Sequence, residues 1–151
     1  MSRRLLLLAA AAAFLGWIGW LAYAVYKAGT VPIVSRAQLT AATNLLVVDL
    51  TLNGDQPAAK TKVLEILSGD GVKVGDEIEI ENLPGALIPG DKPLPGPGAY
   101  LVPVVKVGEK RFRVAGLPRS PGYDAAVPGT PNIYPWVDNV KIQLRTLGLL
   151  K

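Results

Sequence analysis

Apolar and polar positions divide this chain into two regimes. From Leu5 to Tyr26, LLLLAAAAAFLGWIGWLAYAVY, 22 residues run without a charge, led by Ser2-Arg3-Arg4 and closed by Lys27. At about 1.5 Å per residue a helix of that length is roughly 33 Å long, close to the ~30 Å hydrocarbon core of a bilayer. Beyond Lys27 the apolar residues come in short runs broken by Gly, Pro, Asn and Asp, the pattern of strands and turns.

Ser35-Arg36-Ala37-Gln38 fits a capping box, with Ser35 as N-cap and Gln38 at N3, and predicts a short helix over 36–42. Asn44–Asn53 (NLLVVDLTLN) is rich in β-formers and partly alternating, which predicts a strand. The turn residues Gly54-Asp55-Gln56-Pro57 follow it, and Lys60–Leu67 makes a second strand. After the turn Ser68-Gly69-Asp70-Gly71, the stretch Val72–Glu81 alternates. Ile78 and Ile80 should face a core, and Glu77, Glu79 and Glu81 should face water. Tyr100–Val107 and Lys110–Ala115 predict a hairpin around Gly108-Glu109, and Pro103 within it argues for an edge strand or a bulge. Pro135–Leu149 fits both periods. Val137, Val140, Leu144 and Leu147 share a helical face, Pro135 suits a first helical position, and Lys141 and Arg145 suit the C-terminal half, so a helix is expected.

The expected fold is mainly β: an N-terminal transmembrane helix, then a small antiparallel OB-like barrel or curled sheet with a C-terminal helix. The segments are an anchor (1–27), a linker with a short helix (28–43) and a barrel-like domain (44–151) with two Pro/Gly-rich loops (83–98 and 116–135). Val63-Leu64-Glu65-Ile66-Leu67-Ser68-Gly69, followed by Val74-Gly75-Asp76-Glu77-Ile78-Glu79-Ile80, resembles the hairpin of exported bacterial OB-like modules. In those a V-L-x-G strand end turns through V-G-D-x-I-x-V. The segments Ile133-Tyr134-Pro135-Trp136 and Ser120-Pro121-Gly122 are similar to parts of single-pass bacterial membrane proteins with such a domain. The resemblance implies a hairpin geometry and no catalytic residues.

Ala22-Tyr23-Ala24 also resembles a signal-peptide cleavage site. The apolar run exceeds a signal peptide's usual core, and Trp20, Tyr23 and Tyr26 form an interfacial aromatic belt, which favours a retained anchor. Either way residues 28–151 are exported. Arg3 and Arg4 ahead of the helix favour a cytoplasmic N-terminus in the inner (cytoplasmic) membrane, with a single pass and a periplasmic domain.

Composition narrows the chemistry. The net charge is +4, but after Lys27 thirteen Lys and Arg meet twelve Asp and Glu, so the domain lacks the basic footprint of a nucleic-acid binder. There is no cysteine and no histidine, which removes disulfides, the commonest metal ligands and the usual general base. No cofactor and no metal are therefore expected. Glu77, Glu79 and Glu81 read as a solvated sheet face, and Lys110-Arg111-Phe112-Arg113 as a strand with one wet side.

Two sets of residues point to partners. Ala9, Ala12, Gly16 and Gly19 place small side chains on one face of the helix, opposite Trp17 and Leu21, and such a face lets another helix approach closely. Arg119, Tyr123, Tyr134 and Trp136 combine the residue types enriched at interface hot spots, although Trp136 equally suits a plug beneath the last helix. The expected function is a non-catalytic accessory subunit of a multi-subunit membrane complex, energy-transducing complexes included. Its partners would be other membrane subunits and the lipid bilayer. The alternative is a free-standing module binding glycan or peptide, and an enzyme ranks last.

Overall fold

The structure, a computed structural model, describes residues 3–28, 32–116 and 131–150. The chain forms two compact units, Met1–Val31 and Pro32–Lys151. In the first, α1 (Arg3–Ala28) is a single helix of 26 residues, long and apolar enough to cross a membrane, a property that signal sequences share. Trp17 and Trp20 stack along it with ring centroids 5.4 Å apart.

In the second unit α2 (Arg36–Ala41) precedes β1 (Asn44–Leu50), β2 (Leu52–Asn53), β3 (Gln56–Pro57), β4 (Lys60–Ser68) and β5 (Glu77–Ile80). A 3-10 turn (Leu83–Gly85), β6 (Gly98–Lys106), β7 (Arg111–Val114), β8 (Tyr134–Pro135) and α3 (Asp138–Thr146) complete it. Five strands close a barrel in the order β1-β4-β5-β7-β6 and back to β1. The β1–β6 pairing closes the barrel and rules out an open curled sheet, and the barrel is not wholly antiparallel, because β5 and β7 run parallel. The chain as a whole is also mixed rather than mainly β. Helix and strand each make up about 33%, because α1 alone supplies so many helical residues.

β1 and β6 are apolar on both faces for a structural reason. Leu46, Val48, Leu50, Tyr100, Val102 and Val104 fill the barrel with Ile78, Ile80 and Phe112. Leu45 and Leu101 point outward into a second core with Val34, Leu39, Tyr134, Val140 and Leu144. Sheet strands covered on both sides give up strict alternation. The short helix that the sequence groups with the linker thus belongs to the barrel's outer layer.

β4 does not alternate strictly along its length. Thr61 and Val63 are buried and Leu64 is exposed, and then Ile66 turns inward. The β1–β4 register steps from Val48↔Val63 to Val47↔Glu65 and from Leu46↔Ile66 to Leu45↔Ser68, leaving Leu64 and Leu67 as extra residues. Two bulges increase local twist and bend, the curvature that a five-stranded barrel needs to close. β5 is shorter than its alternating run, since Gly75 at φ 91° turns the chain just before Glu77. Ile78 and Ile80 do face the core, as expected.

Pro103 lies in neither an edge strand nor a bulge of β6. Its carbonyl accepts from Ala115 N (2.8 Å), one step beyond the Val104↔Val114 pair that ends the β6–β7 register. The reciprocal bond to Ala115 O needs an amide hydrogen that proline lacks. Gln38 Nε2 donates to that oxygen instead, at 2.8 Å. A side chain from α2 therefore completes the ladder.

Candidate functional site

Residues 32–35 form a strap across the outer layer, held by two side-chain amides. Gln143 of α3 accepts from Val34 N and donates to Pro32 O, both at 2.9 Å, pairing with the strap as a neighbouring strand would. Ser35 caps α2 by accepting from Gln38 N at 3.4 Å. The return bond of a capping box, donated by Ser35 N to the Gln38 side chain, is absent. Ser35 N donates to the Tyr134 hydroxyl at 3.0 Å, and that hydroxyl donates to Gln38 Oε1 at 2.6 Å. Gln38 Nε2 also reaches Asn132 O at 2.8 Å. Gln38 is fully buried with both amide hydrogens and its oxygen bonded, which removes the desolvation penalty that an unpaired amide would suffer.

This network decides how the proposed interface residues are placed. Tyr134 is fully buried and joins strap, helix and barrel, so it is a core residue and offers a partner no exposed ring. Burial pushes its phenol above the ordinary value of 10.0, opposed by the hydrogen bond from Ser35. Trp136 is half-buried against the same core, with Lys141 Nζ 5.3 Å from its ring centre and its amide donating to Ala99 O at 2.9 Å. Arg119 and Tyr123 lie outside the described residues. Ala9, Ala12, Gly16 and Gly19 are exposed on α1, and a Cβ added at either glycine would meet no atom within 4 Å.

The predicted helix over Pro135–Leu149 begins later than expected, at Asp138. Pro135 lies in β8, and Val137 is the exposed N-cap. Val140 and Leu144 face the core as the period requires.

On the outer face of β4, β5 and β7 the charges alternate in sign. Lys60 lies opposite Glu79, Lys62 opposite Glu77, and Glu79 beside Arg111. Glu81 bridges Arg111 and Arg113, and the hydrogen bond from Arg113, with Arg111 alongside, holds its carboxyl below the ordinary carboxylate value. The acidic row is thus a solvated face in which Glu81 is ion-paired and Glu77 and Glu79 lie across from Lys62 and Lys60. A shallow depression of about 210 Å³ there is lined by Lys60, Glu77, Ile78, Glu79, Lys110 and Arg111. Among the described residues no cluster of three His, Cys, Asp or Glu side chains offers a metal site.

The Pro/Gly-rich loop after β5 is ordered by its own contacts. Leu83 and Ala86 are buried in the barrel core, Tyr100 Oη donates to Gly96 O at 2.7 Å, and Leu87 exchanges backbone bonds with the Pro131–Ile133 segment. Of the two residues that organise the strap, Gln38 is visible in the sequence only as half of a capping box, and Gln143 only as a polar residue beside the apolar positions of a short helix. No protein-family model, curated protein or solved structure matches the chain.

Proposed function

We propose that this chain is a membrane-anchored, non-catalytic accessory subunit, held by α1 and working through contacts with other membrane proteins. The observation that carries this reading is the strap. The domain is ordered from Pro32 onward by bonds to Gln143 and Tyr134, and only residues 29–31 separate Pro32 from the last residue of α1. The four Cα–Cα steps from Ala28 to Pro32 reach at most about 14 Å. So short a tether suits a module acting on neighbours in the same membrane better than one that ranges for soluble ligands. Arg3 and Arg4 before the helix support, on this reading, a cytoplasmic N-terminus and a periplasmic barrel.

We read the barrel as OB-like, from its five strands and single parallel pairing. Such barrels bind oligonucleotides and sugars on the outer face of their second and third strands, here β4 and β5. That face carries paired Lys and Glu, and neither strand contains an aromatic residue on which a base or sugar could stack. The protein-contact role is therefore favoured over a glycan-binding module.

Gly16→Leu tests the reading. A bulky side chain on the small-residue face should separate backbones that otherwise touch, while insertion survives because leucine is favourable in the bilayer. Compared at equal membrane abundance, Gly16→Leu should lose its membrane partners and Leu21→Ala, on the opposite face, should keep them. Equal partner recovery by the two variants would contradict packing through this face.

A further inference from the structure

Among the described residues outside α1, the most exposed large apolar side chain is Ile33, at 74%. It lies between the two residues that Gln143 grips, with Val34 turned into the core beneath it. Ile142, which precedes Gln143 on α3, is 56% exposed, so one junction carries both isoleucines. Beside it Arg36, Leu39, Thr40, Leu147 and Leu149 line a groove of about 150 Å³ between α2 and the end of the chain. Arg36 and Arg145 are exposed, and no described carboxylate lies within ion-pair distance of either. The barrel face differs: its lysines and arginines sit opposite or on Glu77, Glu79, Glu81 and Asp76.

We propose that the face formed by Ile33, Arg36, Ile142, Arg145 and Leu149 binds anionic phospholipid headgroups. Exposed aliphatic side chains rimmed by unmatched arginines fit an interface in which apolar groups enter the acyl boundary and guanidinium groups meet phosphate. The inference rests on reading α1 as a membrane anchor, since the anchor brings lipid within reach of a domain that begins four residues after its last one.

The absence of cysteine allows unique labelling of the full chain. Ile33→Cys, Ile142→Cys and Val74→Cys, the last at an exposed site in the loop before β5, would each carry an environment-sensitive dye. The labelled chains would be reconstituted in phosphatidylcholine vesicles with and without phosphatidylglycerol. With the anionic lipid, the dyes at 33 and 142 should shift to the blue and be quenched by brominated lipid, the dye at 74 should do neither, and Arg36→Glu/Arg145→Glu should abolish the difference. Equal behaviour at all three positions, in a chain that resists carbonate extraction, would overturn the lipid-binding face and leave the anchor standing. Quenching at 33 and 142 that ignores phosphatidylglycerol would overturn the anionic headgroup assignment. Extraction by carbonate would overturn the anchor, and quenching of the vesicle-bound fraction would still decide the face.

Discussion

At Tyr134 one hydroxyl accepts from Ser35 N and donates to Gln38 Oε1, so its removal leaves a part-buried amide and a buried carbonyl oxygen without that partner. Tyr134→Phe should therefore cost about 1–3 kcal/mol in chemical denaturation, the range for stranding buried polar groups. The pH dependence has a definite sign. Because burial raises the folded-state phenol, its contribution is fully present below the unfolded value of 10.0 and is lost as pH rises through the raised folded value. Stability should fall on the alkaline side, and Tyr134→Phe should flatten that fall. A separate pair of substitutions tests the register of β5. Ile78→Ala should cost about 2–5 kcal/mol as a core truncation, whereas Glu79→Ala on the solvated face should stay within roughly 0.5 kcal/mol of the parent. Equal losses at the two positions would mean that the strand faces are reversed.

Elements differ in how far local sequence determines them. β5, the helical face of α3 and the N-cap of α2 follow from periodicity and capping chemistry, because neighbours a few residues apart dictate them. The bulges at Leu64 and Leu67 do not, since the closed barrel imposes them and the β-propensity of the segment is the same with or without them. Pro103 shows the same limit. Its place inside the sheet depends on an amide 65 positions earlier in the chain, at Gln38, which sequence alone presents as half of a capping box. Glycine turns offer a graded test of element geometry. Gly69, at φ 103°, sits against Asn44, whose side chain and backbone a Cβ would strike, whereas Gly75, at φ 91°, faces open space. Gly75→Ala should cost only the left-handed backbone strain, about 1–2 kcal/mol. Gly69→Ala should lower the melting temperature further, because β1 and the turn after β4 must also move apart. A smaller shift for Gly69→Ala than for Gly75→Ala would contradict that close approach.

For the whole molecule, two cores share the β1 and β6 strands, and the strap joins the outer one at the point where the domain begins. The helix able to cross a membrane and the existence of a small barrel were legible from charge-free length and turn spacing. The interface residues were less so. Tyr134 has the composition of a hot spot, and only the long-range bonds to Ser35 and Gln38 reveal it as a core residue. The central claim is that the chain remains anchored and works inside an assembly. Native mass spectrometry of material extracted from its own membranes in mild detergent tests this most directly. The account predicts an uncleaved chain of about 16.0 kDa beginning at Met1 or Ser2, in fixed stoichiometry with other membrane proteins. A free chain whose N-terminus is Val25, with no partner in constant ratio, would contradict it.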